Sequence, residues 1–509
     1  MRKTKLFALI ALSSMAILLA LLLLAESTAP DATIVSVPSA LWYLLTTLTT
    51  VGYGDCYPVT AAGRVIGAVF QLMSLGVLAL LFGMLTAFLR GTAWERIKLL
   101  GRSGKTWYIF SERNDASLAL AAALAREEPK GVLLFANTKD DCGVGRSSLL
   151  GAEALCKRKK DGDFRLFCLS ENERENERLA NGVKNGRVYC RSSFLPDRLP
   201  ENQQRFDPKE LCARLYWNRF PLQSAQETVL LAGDGAYAEA LLEQGLLRNV
   251  LDPAQRVRYV VAGDWSGFFR QHPNPEEILE IDPACAGRDE LTILRHWEDE
   301  PELLRTADRI VFCGDDEDEN RQSVRRLRRY FAVSGAVQAR LSTPVDGADC
   351  FGAPEDLYTP TLVMHEGLSE LAISLNERYR SEYPDAPDWN GLSDFARRSN
   401  LAAADHFLVK VQVLARKYGE DEDTTLSELF DRFRSATPED KEFFRRIEHA
   451  RWCRFHYLNG WRYAAVRDNE KRLHPLLVPF DRLSLAEQEK DDYSWELILL
   501  AFIRRNDEN

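Results

Sequence analysis

Two long apolar runs stand near the start of the chain, and short apolar segments alternate with polar ones over the rest of it. Leu6–Ala25 holds 20 residues without a charge after a basic start, and Val65–Leu89 ends at basic residues that begin with Arg90. About 20 helical residues cross the hydrocarbon core of a bilayer, so both runs are predicted to span a membrane. A secretory signal peptide is the alternative for the first run, but its apolar region is usually only about 7–15 residues long. Basic charge on the same side of both spans predicts a cytosolic N-terminus and a cytosolic C-terminal region.

The stretch between the two spans carries the most specific motif. Ser39–Leu48 is apolar but too short to cross a membrane, which predicts a re-entrant helix. Potassium filters replace the water around the ion with rings of backbone carbonyls. Carbonyls can point at one axis only where the backbone alternates in handedness, which glycine permits at little cost. The candidate selectivity filter comprises Thr50, Val51, Gly52, Tyr53, Gly54 and Asp55.

This stretch resembles the pore of two-helix potassium channels over about residues 6–90, including Trp42-Tyr43 before the filter and Tyr57-Pro58 after it. The resemblance implies potassium ions in the filter and a homotetramer in which each subunit supplies one quarter of the pore. It also implies a gating bend in the inner helix, usually at a glycine. A serine stands at that position here with glycines nearby, so the place of the bend stays open. The candidate gating residues are Ser74, Gly76 and Gly83.

From about residue 105 the pattern changes to short apolar runs that alternate with amphipathic segments. Such alternation predicts α/β units with parallel sheets, and we place two Rossmann-like units at residues 103–222 and 226–345. The predicted strands of the first unit are Thr106–Phe110, Val132–Phe135 and Leu166–Leu169. Those of the second unit are Thr228–Ala232, Val257–Ala262 and Ile310–Cys313.

Glycines follow the first predicted strand of the second unit but not that of the first. Gly233, Asp234 and Gly235 open a G-x-G-x-x-A turn between a strand and a helix. Asp264 follows the next strand, where an acid can meet a ribose hydroxyl. These four residues are the candidate nucleotide site, although the same turn also occurs as a tight packing turn without a ligand. Ser111–Asp115 in the first unit lacks such glycines, so a dinucleotide is not expected there in the usual way.

Two Rossmann-like units directly after a two-helix pore resemble the RCK (regulator of potassium conductance) arrangement. The resemblance covers about residues 103–345. It implies a cytosolic ring beneath the pore, in which ligand binding changes the shape of the ring and pulls on the inner helices.

An acidic run, Asp315–Glu319, follows the last predicted strand. Five acids in a row could hold calcium, since hard cations bind several carboxylate oxygens. The run also suits the first turn of a helix, where negative charge opposes the helix dipole. We favour this second interpretation.

Beyond about residue 381 the pattern is helical, and three strings resemble the RyR domain, the repeat named after the ryanodine receptor. They are Glu448–Trp452, Asn459–Tyr463 and Val478–Asp481, and we place the domain at residues 380–509. The predicted helices are Leu392–Arg398, Ala402–Tyr418, Leu426–Phe433 and Glu442–Leu458.

This helical region combines aromatic residues with cations. Arginine and lysine bind phosphate and aromatic faces stack on bases, so a nucleotide or cyclic dinucleotide is the candidate ligand. The alternative is that the tryptophans fill a small helical core, with solvated arginines around them. The candidate ligand residues are Arg397, Arg398, Ser399, Asn400, Arg451, Trp452, Trp461, Tyr463, Arg467 and Lys471.

The composition limits the classes of partner and ligand that the chain is expected to bind. The net charge of −10 argues against a nucleic acid as the main partner. The ten cysteines are scattered singly without a C-x-x-C pair, which favours reduced thiols over disulfides or zinc. His449, His456 and His474 lack the spacing of metal ligands, so no metal site is expected.

These observations predict a multi-domain membrane protein with an all-α two-helix pore at residues 1–92, two α/β RCK units and a mainly α-helical RyR domain. The leading interpretation is a ligand-gated potassium channel of the cell (inner) membrane, with no enzymatic activity and no catalytic cofactor. A non-conducting tetrameric receptor or scaffold that senses a nucleotide is one alternative. An NAD-dependent, membrane-associated oxidoreductase is the other, but no catalytic acid–base group accompanies the Gly233 turn.

Overall fold

The computed structural model describes residues 2–90, 104–159, 161–194, 199–273, 275–419 and 424–496, with side chains from residue 13 to residue 86 in the first of these ranges. The chain divides into two compact units, Met1–Gly104 and Lys105–Asn509, which we call the smaller and the larger unit.

The described residues of the smaller unit form three helices: α1 (Arg2–Glu26), α2 (Val37–Leu48) and α3 (Ala61–Arg90). Their shared core is small, and many apolar side chains face outward; Leu72 on α3 is 74% exposed. Ala61–Thr86 is long and apolar enough to cross a membrane, whereas the other apolar helical segments with described side chains, Ser13–Glu26 and Val37–Leu48, are shorter. The predicted span Leu6–Ala25 lies partly outside the described side chains.

The larger unit begins with a six-stranded parallel sheet in the order β3-β2-β1-β4-β5-β6. Its strands are β1 (Trp107–Phe110), β2 (Val132–Phe135), β3 (Arg146–Ser147), β4 (Phe164–Cys168), β5 (Arg187–Arg191) and β6 (Gln203–Phe206). The helices of this part are α4 (Asp115–Glu127), α5 (Ala152–Arg158), α6 (Glu173–Gly182) and α7 (Pro208–Arg219). Aromatic rings from adjacent strands stack across one face, with Phe110 4.8 Å from Phe135 and 5.0 Å from Phe167.

A second six-stranded parallel sheet repeats this order as β11-β8-β7-β12-β13-β14. Its strands are β7 (Thr228–Ala232), β8 (Arg258–Ala262), β11 (Glu290–Leu294), β12 (Arg309–Phe312), β13 (Ala336–Arg340) and β14 (Asp349–Phe351), while β9 (Glu280–Asp282) and β10 (Gly287–Arg288) form a separate antiparallel pair. The helices are α8 (Ala236–Arg248), α9 (Ser266–Gln271), α10 (Pro275–Leu279), α11 (Pro301–Thr306), α12 (Glu317–Tyr330), α13 (Pro354–Leu357) and α14 (Pro360–Val363).

The order 3-2-1-4-5-6 is that of a doubly wound dinucleotide-type fold. The prediction of two Rossmann-like units with parallel sheets is therefore confirmed. The six strands predicted from sequence appear within two residues of their expected bounds. The second sheet extends to Phe351, past the predicted boundary at residue 345.

Helices dominate the remainder of the larger unit. They are α15 (Glu370–Glu382), α16 (Asp394–Asp405), α17 (Phe407–Tyr418), α18 (Leu426–Arg434), α19 (Pro438–Leu458) and α20 (Leu485–Gln488), with a short strand pair, β15 (Arg462–Tyr463) and β16 (Leu473–His474). The Ser393 side chain caps α16, and Thr437 with a following proline starts α19.

This helical part packs on both sheets through buried charges. Arg214 on α7 donates to the Asp405 carboxylate on α16, with 2.7 Å between Nε and Oδ2. Arg454 on α19 pairs with Asp289, and both side chains are fully buried. Arg454 also donates to the carbonyl of Leu246 at 3.1 Å. The helical part is therefore built into the larger unit as an integral layer.

Candidate functional site

Residues 50–54 follow directly from α2 and have a backbone that alternates in handedness. Thr50, Gly52 and Gly54 have φ of 61°, 54° and 76°, and one residue without a positive φ separates each from the next. Left-handed residues that alternate with right-handed ones turn successive carbonyls toward the same side. The N–H groups of Val51 and Gly52 both donate to the carbonyl of Thr46, at 3.0 and 3.1 Å, which ties the segment to α2.

Trp42 on α2 holds the outer part of this segment. Its indole Nε1 donates to Asp55 Oδ2 at 2.7 Å. Its ring stacks on Tyr53 with the centroids 5.8 Å apart and the planes within 2°. A charge-assisted hydrogen bond and a ring contact thus fix two of the six predicted filter residues against the preceding helix.

Glu26 joins the end of α1 to the start of α3. Its carboxylate accepts hydrogen bonds from the N–H groups of Val59 and Thr60 at 2.9 Å each and from the Thr60 hydroxyl at 2.6 Å. A Cβ at Gly63 would lie 1.9 Å from Glu26 Oε1, so the cap requires glycine there. Sequence reasoning did not single out Glu26; the signal was a carboxylate at the end of an apolar run.

The three candidate gating residues lie on α3, which is a continuous helix. Ser74 is 3% exposed, and its hydroxyl donates to the carbonyl of Gln71 at 2.7 Å. A Cβ at Gly76 or Gly83 would meet no atom of this chain within 4 Å. The position of a gating bend stays a prediction.

The Gly233 turn is filled by a carboxylate of the chain itself. Asp315 accepts hydrogen bonds from the N–H groups of Ala236 and Tyr237 at 3.1 and 2.9 Å. These N–H groups stand at the start of α8, where a dinucleotide would place its pyrophosphate. A Cβ at Gly235 would lie 2.3 Å from the Asp315 carboxyl carbon, and one at Gly233 would lie 2.3 Å from the nitrogen of Gly314. The glycines serve close packing against residues 313–315.

The other acids of this region also bind within the chain. Asp234 Oδ1 accepts from the N–H of Asp264 at 2.6 Å, and Asp264 Oδ1 accepts from the N–H of Ser266 at 3.0 Å. Hydrogen bonds from Ser266 lower the pKa of Asp264. In the acidic run, Asp316 accepts from the N–H groups of Asp318 and Glu319 at the start of α12, as the capping interpretation predicts.

Replacing Asp315 with alanine is expected to cost about 1–2 kcal/mol of unfolding free energy, because two N–H groups at the start of α8 lose their acceptor. The same change should open the turn to inorganic phosphate or sulfate. Denaturant unfolding with and without these anions measures both effects. Asp318→Ala removes the same charge nearby and is expected to cost less. Equal stability of Asp315→Ala and the unaltered chain would contradict this role.

The first sheet has a cavity of about 340 Å³ at the carboxyl ends of its central strands. Ser111, Asn137 and Ser170 follow β1, β2 and β4 and line it together with Lys157 and Arg178. Ligands of open α/β sheets bind at this edge. No dinucleotide was expected in this unit from the sequence, because its first turn lacks glycines. The cavity arises from the order of the strands in the sheet and does not depend on glycines. Glu153 lies 3.9 and 3.4 Å from the two cations, which are therefore already paired.

Two of the predicted ligand residues in the helical part are core residues. Arg451 is 3% exposed, with its Nη2 2.7 Å from Glu448 Oε1. Trp461 is 6% exposed, and its ring lies 5.1 Å from Phe395 and 5.3 Å from His456.

Three others are exposed on β15 and on the loop that leads from it to its parallel partner β16. Tyr463 is 56% exposed, and Arg467 and Lys471 follow it on the surface. Lys471 Nζ lies 3.2 Å from Asp468 Oδ2. Trp452 is half-buried, with its ring 5.0 Å from that of His474 on β16.

The last four candidates share α16. Arg397 is buried, whereas Arg398, Ser399 and Asn400 are half-buried. Arg398 Nε lies 3.2 Å from Asp394 Oδ2, and Arg397 and Arg398 line a cavity of about 110 Å³.

Comparison with known protein families gives one match near each end of the chain. Residues 6–91 match the family model for ion channels, and residues 440–504 match that of the RyR domain. The chain carries an ion-channel domain and a RyR domain.

Curated relatives of the chain are potassium channel proteins. It is 43% identical over 56 residues to potassium voltage-gated channel protein Shal of Drosophila melanogaster, which is 11% of this chain and 10% of that protein. It is 46% identical over 56 residues to potassium voltage-gated channel subfamily V member 1 of Homo sapiens, which is 11% of each. The chain thus spans about a tenth of the length of these relatives.

Two similar solved structures are the GsuK channel and the GsuK channel bound to NAD. The first has 14% sequence identity and a TM-score of 0.36, covering 70% of this chain and 94% of that one. The second has 11% identity and a TM-score of 0.35, covering 72% and 84%.

The RyR domain joins α17 through a fully buried charge network. Glu448 accepts from Lys410 as well as Arg451, with 2.8 Å between Lys410 Nζ and Glu448 Oε2. Burial acts to raise the pKa of Glu448, but the cations Arg451 and Lys410 together outweigh burial and lower this pKa. Burial lowers the pKa of Lys410 to about 8. His406 beside them bonds through Nε2 to the carbonyl of Val250 at 2.9 Å.

Replacing His406 with glutamine is expected to make stability less sensitive to acid. Burial, with the nearby Lys410, lowers the pKa of His406 from 6.5 to about 3. The folded pKa lies below the unfolded one, so the unfolded chain alone takes up the proton as the pH falls below about 6.5. This costs the folded state about 2 kcal/mol between pH 7 and pH 5. Denaturant unfolding of both chains at pH 7, 6 and 5 measures the difference.

Glutamine can still donate to Val250 but binds no proton in this range. Burial raises the pKa of Glu243 to about 7 and that of Asp491 to about 8, which acts in the opposite direction. Both groups are present in both chains, so their effect cancels in the comparison. Identical pH dependence of the two chains would contradict the prediction.

Proposed function

We propose that four copies of this chain form a potassium-selective channel of the cell (inner) membrane, with the N-terminus and the larger unit in the cytosol, and that a ligand gates it. The observation that carries the proposal is the alternating backbone of residues 50–54, held against α2 by Trp42. A backbone of this kind lines up carbonyl oxygens at the spacing that a dehydrated cation needs.

Assembly follows from the geometry of such a filter. One chain supplies one column of carbonyls, and an ion surrounded on all sides needs several columns around one axis. In the single chain Tyr53 is 69% exposed, and on α3 Val65 is 66% and Leu72 74% exposed. Apolar surface of this extent supports contact with lipid and with other subunits.

The larger unit is proposed to be the ligand sensor, with two RCK units and the RyR domain. A ligand can shift the gate only by binding its open and closed forms unequally. A shift from about 1% to about 99% open needs roughly 5.5 kcal/mol of differential binding, which four subunits can share.

The ligand is proposed to be a nucleotide-type molecule bound at β15 and the loop between β15 and β16. Tyr463 offers an exposed ring for a base, and Arg467 and Lys471 offer cations for phosphate. The Gly233 turn is not proposed as its site, because Asp315 already occupies the N–H groups there.

Potassium flux from liposomes that contain the purified chain tests the function, with sodium as the comparison and a panel of nucleotides and cyclic dinucleotides added in turn. Potassium-selective flux that depends on one of them is expected. The double change Arg467→Ala/Lys471→Ala should weaken that dependence, whereas Arg482→Ala/Lys490→Ala removes two exposed cations elsewhere in the RyR domain and should not. Confirmed tetramers without flux under any condition would favour the non-conducting receptor or scaffold.

A further inference from the structure

A cavity of about 680 Å³ lies where three parts of the larger unit meet. The first Rossmann-like unit contributes Asp207 and Glu210, and helix α8 of the second contributes Glu239 and Glu243. Helix α16 closes the cavity on the helical side. Its volume falls within the range of about 300–1,000 Å³ that small-molecule sites have.

Carboxylates dominate the charged lining of this cavity. Six of them face three cations: Asp207, Glu210, Glu239, Glu243, Asp394 and Asp405 against Lys209, Arg398 and Arg472. Asp394 is paired with Arg398, and Asp405 is paired with Arg214 from outside the cavity. The remaining four carboxylates therefore face two cations, which leaves an excess of two negative charges.

These four carboxylates lie close enough together to oppose each other's ionisation. Burial, together with the neighbouring carboxylates Glu210, Glu239 and Asp207, raises the pKa of Glu243 to about 7 against the opposing effect of Arg398. Burial also raises the pKa of Glu210, Asp207 and Glu239. A cation placed among them would reverse this effect, because an opposite charge favours the ionised form of each carboxyl.

His272 adds an unsatisfied acceptor or donor to the same wall. Its side chain is 6% exposed and packs on Phe268, with the ring centroids 4.6 Å apart, and both residues line the cavity. Its Nε2 has no hydrogen-bond partner among the described residues. A buried polar atom without a partner is rare in folded proteins and marks a place where a ligand group fits.

We propose that this cavity binds an organic polycation of the polyamine class, whose ammonium groups pair with Glu210, Glu239 and Glu243. Among the described residues, no three His, Cys, Asp or Glu side chains are grouped closely enough to hold a metal ion. Carboxylates that are separated along a cavity fit an elongated molecule with separated charges better than a single ion. Such a ligand bridges the two Rossmann-like units through these carboxylates, and thereby favours the arrangement in which they enclose it.

Equilibrium binding of radiolabelled spermidine to the full-length chain in detergent tests the proposal without any flux measurement, so its result is independent of channel activity. One saturable site per chain is expected, with a rise in melting temperature on binding. The double change Glu210→Gln/Glu243→Gln should weaken binding by about ten-fold or more for each carboxylate removed. The control Glu302→Gln/Glu355→Gln removes two exposed carboxylates elsewhere in the larger unit and should leave the affinity unchanged.

A second variant, Glu239→Gln, keeps the test valid if the double variant does not fold, because it removes only one carboxylate, from a half-buried side chain. The proposal is overturned if spermidine fails to bind, if the control variant loses as much affinity as the cavity variants, or if magnesium at equal charge concentration displaces spermidine completely. The last result would indicate general attraction to an acidic surface, which salt screens.

Discussion

Replacing Gly52 with alanine is expected to lower potassium flux by at least about a hundred-fold and to remove discrimination against sodium. Gly52 has φ of 54°, and a Cβ there would meet no atom of this chain within 4 Å. The effect is therefore conformational: alanine in the left-handed region costs about 1–2 kcal/mol, or about 4–8 kcal/mol over four copies. The chain relieves that strain by rotating the peptide, which turns a carbonyl away from the axis. Liposome flux with potassium and with sodium measures both effects.

Gly182→Ala is the matched control for this change. Gly182 also has open space for a Cβ, but it ends helix α6 and its φ is not positive. Its replacement should leave flux and selectivity unchanged. Wild-type selectivity in Gly52→Ala, with tetramers of normal stability, would contradict the role of residues 50–54 as a filter.

Replacing Arg454 with methionine is expected to destabilise the larger unit by about 3–5 kcal/mol, because it leaves the carboxylate of Asp289 buried without its cation. Arg454 Nη2 lies 2.6 Å from Asp289 Oδ2, and neither side chain is exposed. Asp289 also accepts from the N–H of Val257 at 2.8 Å, which fixes it in place. Denaturant or thermal unfolding of the full-length chain measures the loss.

Arg445→Met on the same helix is the control. Arg445 and Asp492 pair at 2.6 Å but are about one-fifth exposed, so the loss should stay within about 1 kcal/mol. The double change Arg454→Met/Asp289→Asn should recover part of the stability, since asparagine still accepts from Val257 and carries no charge. No recovery would show that the two side chains act separately.

The ion-channel domain and six of the twelve strands of the two sheets were predictable because their signals are local. Gly52 and Gly54 lie within a few residues of the helix that holds them, and Val132–Phe135 is an apolar run between polar turns. The strands β3, β5, β6, β11, β13 and β14 were not predicted. In β3 and β6, residues such as Arg146 and Gln203 carry little apolar pattern, and these segments become strands because a parallel neighbour offers hydrogen bonds.

The residues of the Gly233 turn alone did not predict that a carboxylate of the chain itself fills it. A G-x-G-x-x-A pattern shows that the backbone can approach a neighbour closely, but it does not say which neighbour. Here the neighbour is Asp315, 79 residues after Ala236. Similarly, Arg451 is of a residue type that often contacts phosphate ligands, but it lies in the core. Only its buried contact with Glu448 shows that it is a core residue and not a ligand contact.

The buried pair of Arg454 and Asp289 has a consequence for synthesis of the chain on the ribosome. The two residues are 165 positions apart. At about 5–20 residues per second, Asp289 emerges roughly 8–33 seconds before its cation is made. During that interval the second sheet holds an unpaired acid where it needs a dry interior. Until helix α19 is made, we expect the Asp289 carboxyl to be neutralised by a proton or to stay in contact with water.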